Sequence, residues 1–131
     1  MFEPMTRARQ AAVAQGQKIQ LLMLPEVVTR AGALQEVPSL LLEQVISSVM
    51  IVTTQGFVRR GVIDRLVSYL EEQGISSAVF SEVKPDPDVE CVEQAAAFFK
   101  ENECQGIVAI GGGSVMDCAK IAGALVARSD V

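Results

Sequence analysis

The sequence contains no histidine and no tryptophan, and aromatic residues make up only 5% of its 131 positions. Without histidine, these residues alone can form neither a histidine-ligated zinc site nor a Ser-His-Asp triad. Basic residues are also in deficit, because the net charge is −5, so the chain lacks the charge that attracts nucleic acid or anionic lipid. Hydrophobic residues make up 50% of the sequence and charged residues 21%, a composition that is typical of one folded domain and excludes intrinsic disorder.

Cysteine is scarce as well, with three widely spaced residues, Cys91, Cys104 and Cys118. This pattern matches neither a disulfide framework nor a metal-binding knuckle, so we expect reduced, buried thiols in a cytoplasmic protein. No apolar run approaches about 18 residues, and the first residues do not resemble a secretory signal, so we expect no membrane association. The mean hydropathy of +0.33 is high for an acidic chain, which indicates an apolar face covered by a partner or by further chain.

The N-terminal part of the sequence shows short, mixed patterns. Apolar residues at helical spacing predict a helix over residues 2–17, so we expect residues 1–18 to form a helical appendage. Two extended runs follow at residues 18–23 and 27–31. Because Pro25 separates them, they predict an edge hairpin or a crossing strand rather than a central strand.

From residue 34 onward, helical and strand patterns alternate. Short apolar runs predict buried strands at residues 49–52, 78–80 and 107–110. Three- and four-residue spacing predicts helices over residues 34–46 (with Pro38 near its start), 58–70 (stopped by Gly74), 89–99 (capped by Asp88) and 115–126. Such alternation predicts an α/β fold with a parallel sheet and flanking helices over residues 19–131.

Parallel sheets bind ligands at the carboxyl ends of their strands, so the candidate functional turns are residues 53–56, 82–88 and 111–114. The last of these turns is the most informative. Gly111, Gly112 and Gly113 allow a close backbone approach, and Ser114 with Asp117 has the spacing of a capping box. Amides at this helix N-terminus would bind phosphate oxygens. The pattern alone also fits a tight turn without a ligand, and it leaves Asp117 open as a cap acid and Lys120 as a solvated residue.

Residues 111–120, read as G-G-G-S-x-x-D-x-A-K, resemble the signature of the iron-containing (group III) alcohol dehydrogenases. Residues 50–54, 83–87 and 103–106 resemble the same family in order and spacing, so the resemblance covers residues 27–125. The resemblance implies the N-terminal, Rossmann-like half of a two-domain dehydrogenase. It further implies a C-terminal helical domain, absent from this chain, that binds a divalent metal, either iron or zinc.

The resemblance also implies an NAD- or NADP-dependent exchange of a primary or secondary alcohol with its aldehyde or ketone. A loop of the family holds the cofactor pyrophosphate through backbone donors, and it matches Gly112, Gly113, Ser114, Val115, Met116 and Asp117. Asp86 stands where the family often has asparagine, on the adenosine side. Thr54 stands where many members have an aspartate that binds the adenosine ribose.

Threonine at position 54 removes a carboxylate that would repel a 2′-phosphate, so NAD and NADP both remain open. Arg59 and Arg60 are near in sequence, but neighbours on a helix point to different faces, and we expect a solvated surface there. We expect a small alcohol or aldehyde substrate, a homodimer or higher oligomer, and no nucleic-acid partner. Alternatives are a zinc enzyme similar to glycerol dehydrogenase or dehydroquinate synthase, or a nucleotide-binding or assembly module without catalysis.

Overall fold

A computed structural model of the chain describes the backbone of residues 11–13, 20–24, 31–84 and 88–129. Within these residues, strands and helices alternate as the sequence predicts. The strands are β1 (Ala11–Val13), β2 (Gln20–Leu24), β3 (Ser48–Val52), β4 (Ser76–Phe80) and β5 (Gly106–Ile110). The helices are α1 (Ala31–Glu43), α2 (Gln55–Arg59), α3 (Val62–Glu72), α4 (Val89–Glu101) and α5 (Gly113–Ser129).

The five strands form one sheet in the order β1-β2-β5-β3-β4. The strands β2, β5, β3 and β4 run parallel, and β1 is antiparallel to β2. This confirms the predicted α/β fold with a parallel sheet and flanking helices. None of the described helices combines the length and the apolar character needed to cross a bilayer.

Two predictions for the N-terminal part are wrong where the structure describes it. Residues 11–13 form a strand rather than part of a helix, because they pair with β2, whose backbone groups would otherwise be exposed on that side. The strand β2 lies inside the sheet rather than at its edge, because β1 pairs with one side of it and β5 with the other. The second extended segment was predicted over residues 27–31, but Ala31 is the first residue of the helix α1. Residues 25–30 lie outside the described residues.

Each face of the sheet carries its own apolar core, because successive strand residues point to opposite faces. Met50 and Val52 of β3 pack with α4 and α5, whereas Val49 and Ile51 pack with α1, α2 and α3. These four side chains are fully buried. Burial on both faces explains why the strands read as continuous apolar runs instead of alternating ones.

Two predicted helices have different bounds in the structure. The helix predicted over residues 34–46 instead spans Ala31–Glu43, so Pro38 lies inside α1 rather than near its start and removes one internal hydrogen bond. The helix predicted over residues 58–70 is two helices, α2 and α3. Gly61, with φ +81°, separates them in a left-handed conformation, and the apolar spacing simply continues across the break.

The helices α1, α3 and α4 end with the same hydrogen-bonded turn before the strands β3, β4 and β5 that follow them. After α3, the Ile75 N–H bonds the Leu70 carbonyl, and Gly74 takes φ +78°, which confirms its predicted role as a stop. This pairing is a Schellman motif, whose left-handed position favours glycine. The other two connections place Val45 (φ +60°) and Glu103 (φ +53°) at the equivalent position.

Replacing Val45 with glycine is expected to stabilise the protein. Val45 is 85% exposed, so its side chain contributes little packing, while its left-handed backbone costs roughly 1–3 kcal/mol for a residue other than glycine. Glycine also makes the unfolded chain more flexible, and this offsets part of the relieved strain. We therefore expect a net gain in the free energy of unfolding of about 1 kcal/mol. Urea unfolding of the Val45→Gly variant measures the gain. Val45→Ala is the control, since it removes the side chain but keeps the strain; equal gains in both variants would contradict this explanation.

All three cysteine thiols are buried and free. Burial, with a smaller contribution from the adjacent Cys91 thiol, raises the pKa of Cys118 from its ordinary 9.0 to about 12. Burial likewise raises the pKa of Cys104, although a hydrogen bond with Ser48 opposes the change. The folded protein therefore keeps thiol protons that the unfolded chain loses in alkaline solution.

We expect the free energy of unfolding to fall as the pH rises above about 9. Below the unfolded pKa of 9.0, Cys118 is neutral in both states; above it, only the unfolded state loses the proton, until the folded pKa of about 12 is reached. The slope for one group is at most about 1.4 kcal/mol per pH unit. Urea unfolding between about pH 8 and pH 10 measures it. Cys118→Ala should reduce the slope, and an unchanged slope in that variant would refute the assignment.

Candidate functional site

Three turns meet at the carboxyl edge of the sheet and enclose an open hollow of about 720 Å³, within the size range of ligand pockets. They follow β3, β4 and β5, the three strands after which the sequence predicts functional residues. Together they contribute the lining residues Thr54, Gln55, Gly56, Phe57, Arg59, Arg60, Ser81, Glu82, Val83, Lys84, Gly112, Gly113, Ser114 and Val115.

The glycine turn forms the wall of the hollow next to β5. The Met116 N–H makes an early hydrogen bond of α5, to the Gly112 carbonyl at 3.1 Å, so the helix begins at Gly113. Gly112 and Gly113 are exposed, and a Cβ on either would meet no atom within 4 Å. The first turn of α5 therefore offers open backbone and the positive end of a helix dipole to the hollow.

Gly111 has a different part in the same turn. It is buried, and its φ of +152° lies in a region that other residues rarely adopt. A Cβ at this position would lie 2.6 Å from Cγ2 of Val115, which is itself 1% exposed. Gly111 thus lets β5 turn directly into α5, whereas Gly112 and Gly113 leave space outside the turn.

Five of the eight predicted cofactor residues line the hollow, and they are Thr54, Gly112, Gly113, Ser114 and Val115. Met116 and Asp117 do not line it: Met116 packs against the core, and Asp117 is exposed beyond the first turn of α5. Asp86 lies outside the described residues. The predicted capping box is also displaced, because Ser114 lies within the helix rather than before it.

Hydrogen bonds hold the turn after β3 against the turn after β4. Thr53 donates its N–H to the Phe80 carbonyl at 3.0 Å, and Thr54 pairs with Glu82 in an isolated antiparallel bridge. Next to this bridge, the Gln55 side-chain amide donates to Ser81 Oγ at 2.8 Å. These contacts place the segment 81–84 beside Thr54.

The charged residues of the hollow are Arg59, Arg60, Lys84 and Glu82. Both arginines are exposed, as expected for a solvated surface, and both also line the open hollow. The helix α2 ends at Arg59, and Arg60 forms its C-cap. The Arg60 guanidinium carbon lies 4.8 Å from the centre of the Phe57 ring, a cation–π contact.

Gln55 and Glu82 belong to the turns predicted as candidates, and both line the hollow, whereas sequence reasoning missed Phe57 and Ser81. The position of Ser81 directly after β4 was the available signal, because turns after parallel strands share one edge. No group of three or more cysteine or acidic side chains among the described residues is placed to hold a metal ion. The described residues therefore do not fit the metal centre that the resemblance implies.

The model of the iron-containing alcohol dehydrogenase family matches residues 25–131. The choline dehydrogenase of Bacillus subtilis is 34% identical over 108 residues, covering 82% of this chain and 27% of that protein. The NADPH-dependent butanol dehydrogenase of Clostridium saccharobutylicum is 40% identical over 72 residues, covering 54% of this chain and 19% of that protein. The chain thus spans about a quarter of the length of these relatives, or less.

The fold of the chain is also similar to that of a solved enzyme structure. The sulfoacetaldehyde reductase of Bifidobacterium kashiwanohense, crystallised in complex with NAD+, aligns with a TM-score of 0.65 at 30% sequence identity. The alignment covers 82% of this chain and 26% of that one.

Proposed function

The chain belongs to the iron-containing alcohol dehydrogenase family, and from that membership we propose that its hollow binds the nicotinamide dinucleotide of an alcohol dehydrogenase. The observation that carries the proposal is the open first turn of α5. Gly112 and Gly113 leave space on its outer side, at the carboxyl edge of a parallel sheet. Helix N-terminal amides bind phosphate oxygens, and this edge is where parallel sheets bind dinucleotides.

Each part of the dinucleotide then has a place in the hollow. The diphosphate lies against Gly112, Gly113 and Val115, whose backbone belongs to the first turn of α5. The adenosine ribose lies towards Thr54, at the end of the neighbouring strand β3. Met116 and Asp117 contribute by continuing the helix that carries the amides, and the adenosine-side role of Asp86 stays a prediction.

The proposed reaction is the NAD(P)-dependent exchange of a primary or secondary alcohol with its aldehyde or ketone. When bound, a nicotinamide dinucleotide would supply the hydride acceptor for oxidation of the alcohol carbon, with the hydroxyl proton released to solvent, and the hydride donor for the reverse reaction, which takes up a proton. The chain's own part is to hold the diphosphate and the ribose, which fixes the position of the nicotinamide. From the family resemblance, we propose that the divalent metal, iron or zinc, is held by a C-terminal helical domain rather than by the residues of this hollow.

The substrate is proposed only as a small alcohol or aldehyde, because the related proteins are named for choline, butanol and sulfoacetaldehyde. The match to the iron-containing family favours this function over the zinc enzymes considered above. A homodimer and a cytoplasmic location stay predictions.

Calorimetric titration of the 131-residue chain with NADH and NADPH tests the proposal. We expect one dinucleotide per chain, and adenosine, which lacks the diphosphate, should bind at least about tenfold more weakly. The fluorescence of the reduced nicotinamide, excited directly, is a second readout. We expect no oxidation of butanol or propanediol by this chain, with or without Fe²⁺. Failure of both dinucleotides to bind would refute the proposed function.

A further inference from the structure

The side of the hollow formed by α2 and the segment 81–84 carries an excess of positive charge. Arg59, Arg60 and Lys84 line it, against one carboxylate, Glu82. This is unusual in an acidic chain, whose 131 residues include 11 basic and 16 acidic ones. The local charge is therefore opposite in sign to the net charge of the protein.

The three cations follow β3 and β4, and none of them belongs to the glycine turn after β5. The strands stand in the order β5-β3-β4, so the turns after β3 and β4 lie progressively farther from the first turn of α5. A dinucleotide whose diphosphate contacts α5 places its adenosine ribose at the end of the adjacent strand, which here is β3. A phosphate on the 2′-oxygen of that ribose would point into the cationic part of the hollow.

Thr54 occupies the end of β3, where a carboxylate would repel such a phosphate. Its hydroxyl carries no charge, and its backbone is tied to Glu82 through the isolated bridge. Glu82 is the competing group, because its carboxylate could accept hydrogen bonds from an unmodified ribose. Three cations outweigh this single carboxylate, so the balance of charge favours the phosphorylated ribose.

Arg60 is prepared for this contact before any ligand binds. Its guanidinium stacks on Phe57, which is only 5% exposed and therefore anchored in the core. A stacked guanidinium loses little conformational freedom when it binds a phosphate, and its planar geometry suits two parallel hydrogen bonds.

We propose that this hollow selects NADP(H) over NAD(H), with Arg59, Arg60 and Lys84 recognising the 2′-phosphate beside Thr54. The inference rests on the proposed function, because it assumes that the diphosphate lies at α5. It assigns to the three cations a specificity role that sets which dinucleotide is used. We expect NADPH to bind at least about tenfold more tightly than NADH, and its affinity to fall more steeply with salt.

The experiment compares NADPH and NADH binding to the 131-residue chain by calorimetry. Arg60→Ala and Lys84→Ala should each weaken NADPH binding about five- to tenfold and change NADH binding less than twofold. Arg65→Ala is the control, because Arg65 is exposed on α3 and does not line the hollow. Thr54→Asp should reverse the preference, since its carboxylate would repel the 2′-phosphate.

The outcomes separate the two proposals. Equal binding of both dinucleotides, or tighter NADH binding, overturns the cofactor preference and leaves the proposed function standing, with Glu82 as the dominant charge. Binding of neither overturns both. An NADPH preference that survives the Arg60 and Lys84 substitutions refutes the assignment to these cations.

Discussion

Replacing Gly111 with alanine is expected to lower the free energy of unfolding by about 3 kcal/mol. Two costs combine at this residue. The φ of +152° is strained for any residue with a Cβ, and the new methyl would lie 2.6 Å from Cγ2 of Val115. Val115 cannot move away cheaply, because it is buried in the core formed by α4, α5 and the sheet. Urea unfolding followed by circular dichroism measures the loss.

Gly112→Ala is the matched control for this prediction. It adds the same methyl group one residue later, where no atom lies within 4 Å and φ is not left-handed. We expect its unfolding free energy to stay within about 0.5 kcal/mol of the original protein. Equal losses in the two variants would mean that the turn does not depend on Gly111 in particular.

A double-mutant cycle separates the two costs of Gly111→Ala. Val115→Ala removes the methyl groups that the new Cβ would meet, but it leaves the backbone conformation unchanged. If the close contact dominates, the double variant is more stable than the sum of the two single effects predicts. Additive losses would instead assign the whole effect to the φ angle.

Replacing Gly113 with aspartate is expected to reduce dinucleotide affinity about 100-fold while leaving the fold intact. The carboxylate would stand at the first turn of α5, where the diphosphate is proposed to bind. Two like charges about 5 Å apart repel by about 3 kcal/mol at an effective dielectric constant near 20. An acidic residue in the first turn of a helix is itself stabilising by about 0.3–1 kcal/mol, so the unfolding free energy should not fall.

Gly113→Asn is the control for charge, because asparagine has nearly the shape of aspartate. We expect its affinity loss to stay below about tenfold, since it adds bulk without a full negative charge. Calorimetry measures binding, and thermal unfolding of the same samples confirms that both variants are folded. Unchanged affinity in Gly113→Asp, in a folded variant, would place the diphosphate elsewhere and refute the proposed function at this turn.

Some elements could be predicted because a local pattern and its tertiary environment agree. The apolar runs at residues 49–52 and 107–110 are β3 and β5, which are buried on both faces and leave no position for a polar side chain. Asp88 caps α4 as predicted: its Oδ1 accepts a hydrogen bond from the Cys91 N–H at 2.9 Å. The glycine turn could be found because only glycine permits the conformation of Gly111.

Other features could not be predicted, because they depend on partners distant in sequence. The strand β2 is internal only because β1 pairs with one side and β5 with the other. The site residue Ser81 lacks a motif, and it lies beside Gln55 because β3 pairs with β4. Val45 adopts a left-handed conformation that valine disfavours, because the connection from α1 to β3 imposes it.

By itself, the sequence determined the alternation of strands and helices, the family, and the glycine turn, because each depends on residues close together in the chain. Only the tertiary structure decided the strand order and the position of Arg59, Arg60 and Lys84 on one side of the hollow. The physical reason is that the pairing of β3 with β4 and with β5 joins residues 28 and 57 positions apart, as in Ser48 with Ser76 and Val49 with Gly106. The charge of the hollow depends on which turns that pairing brings together.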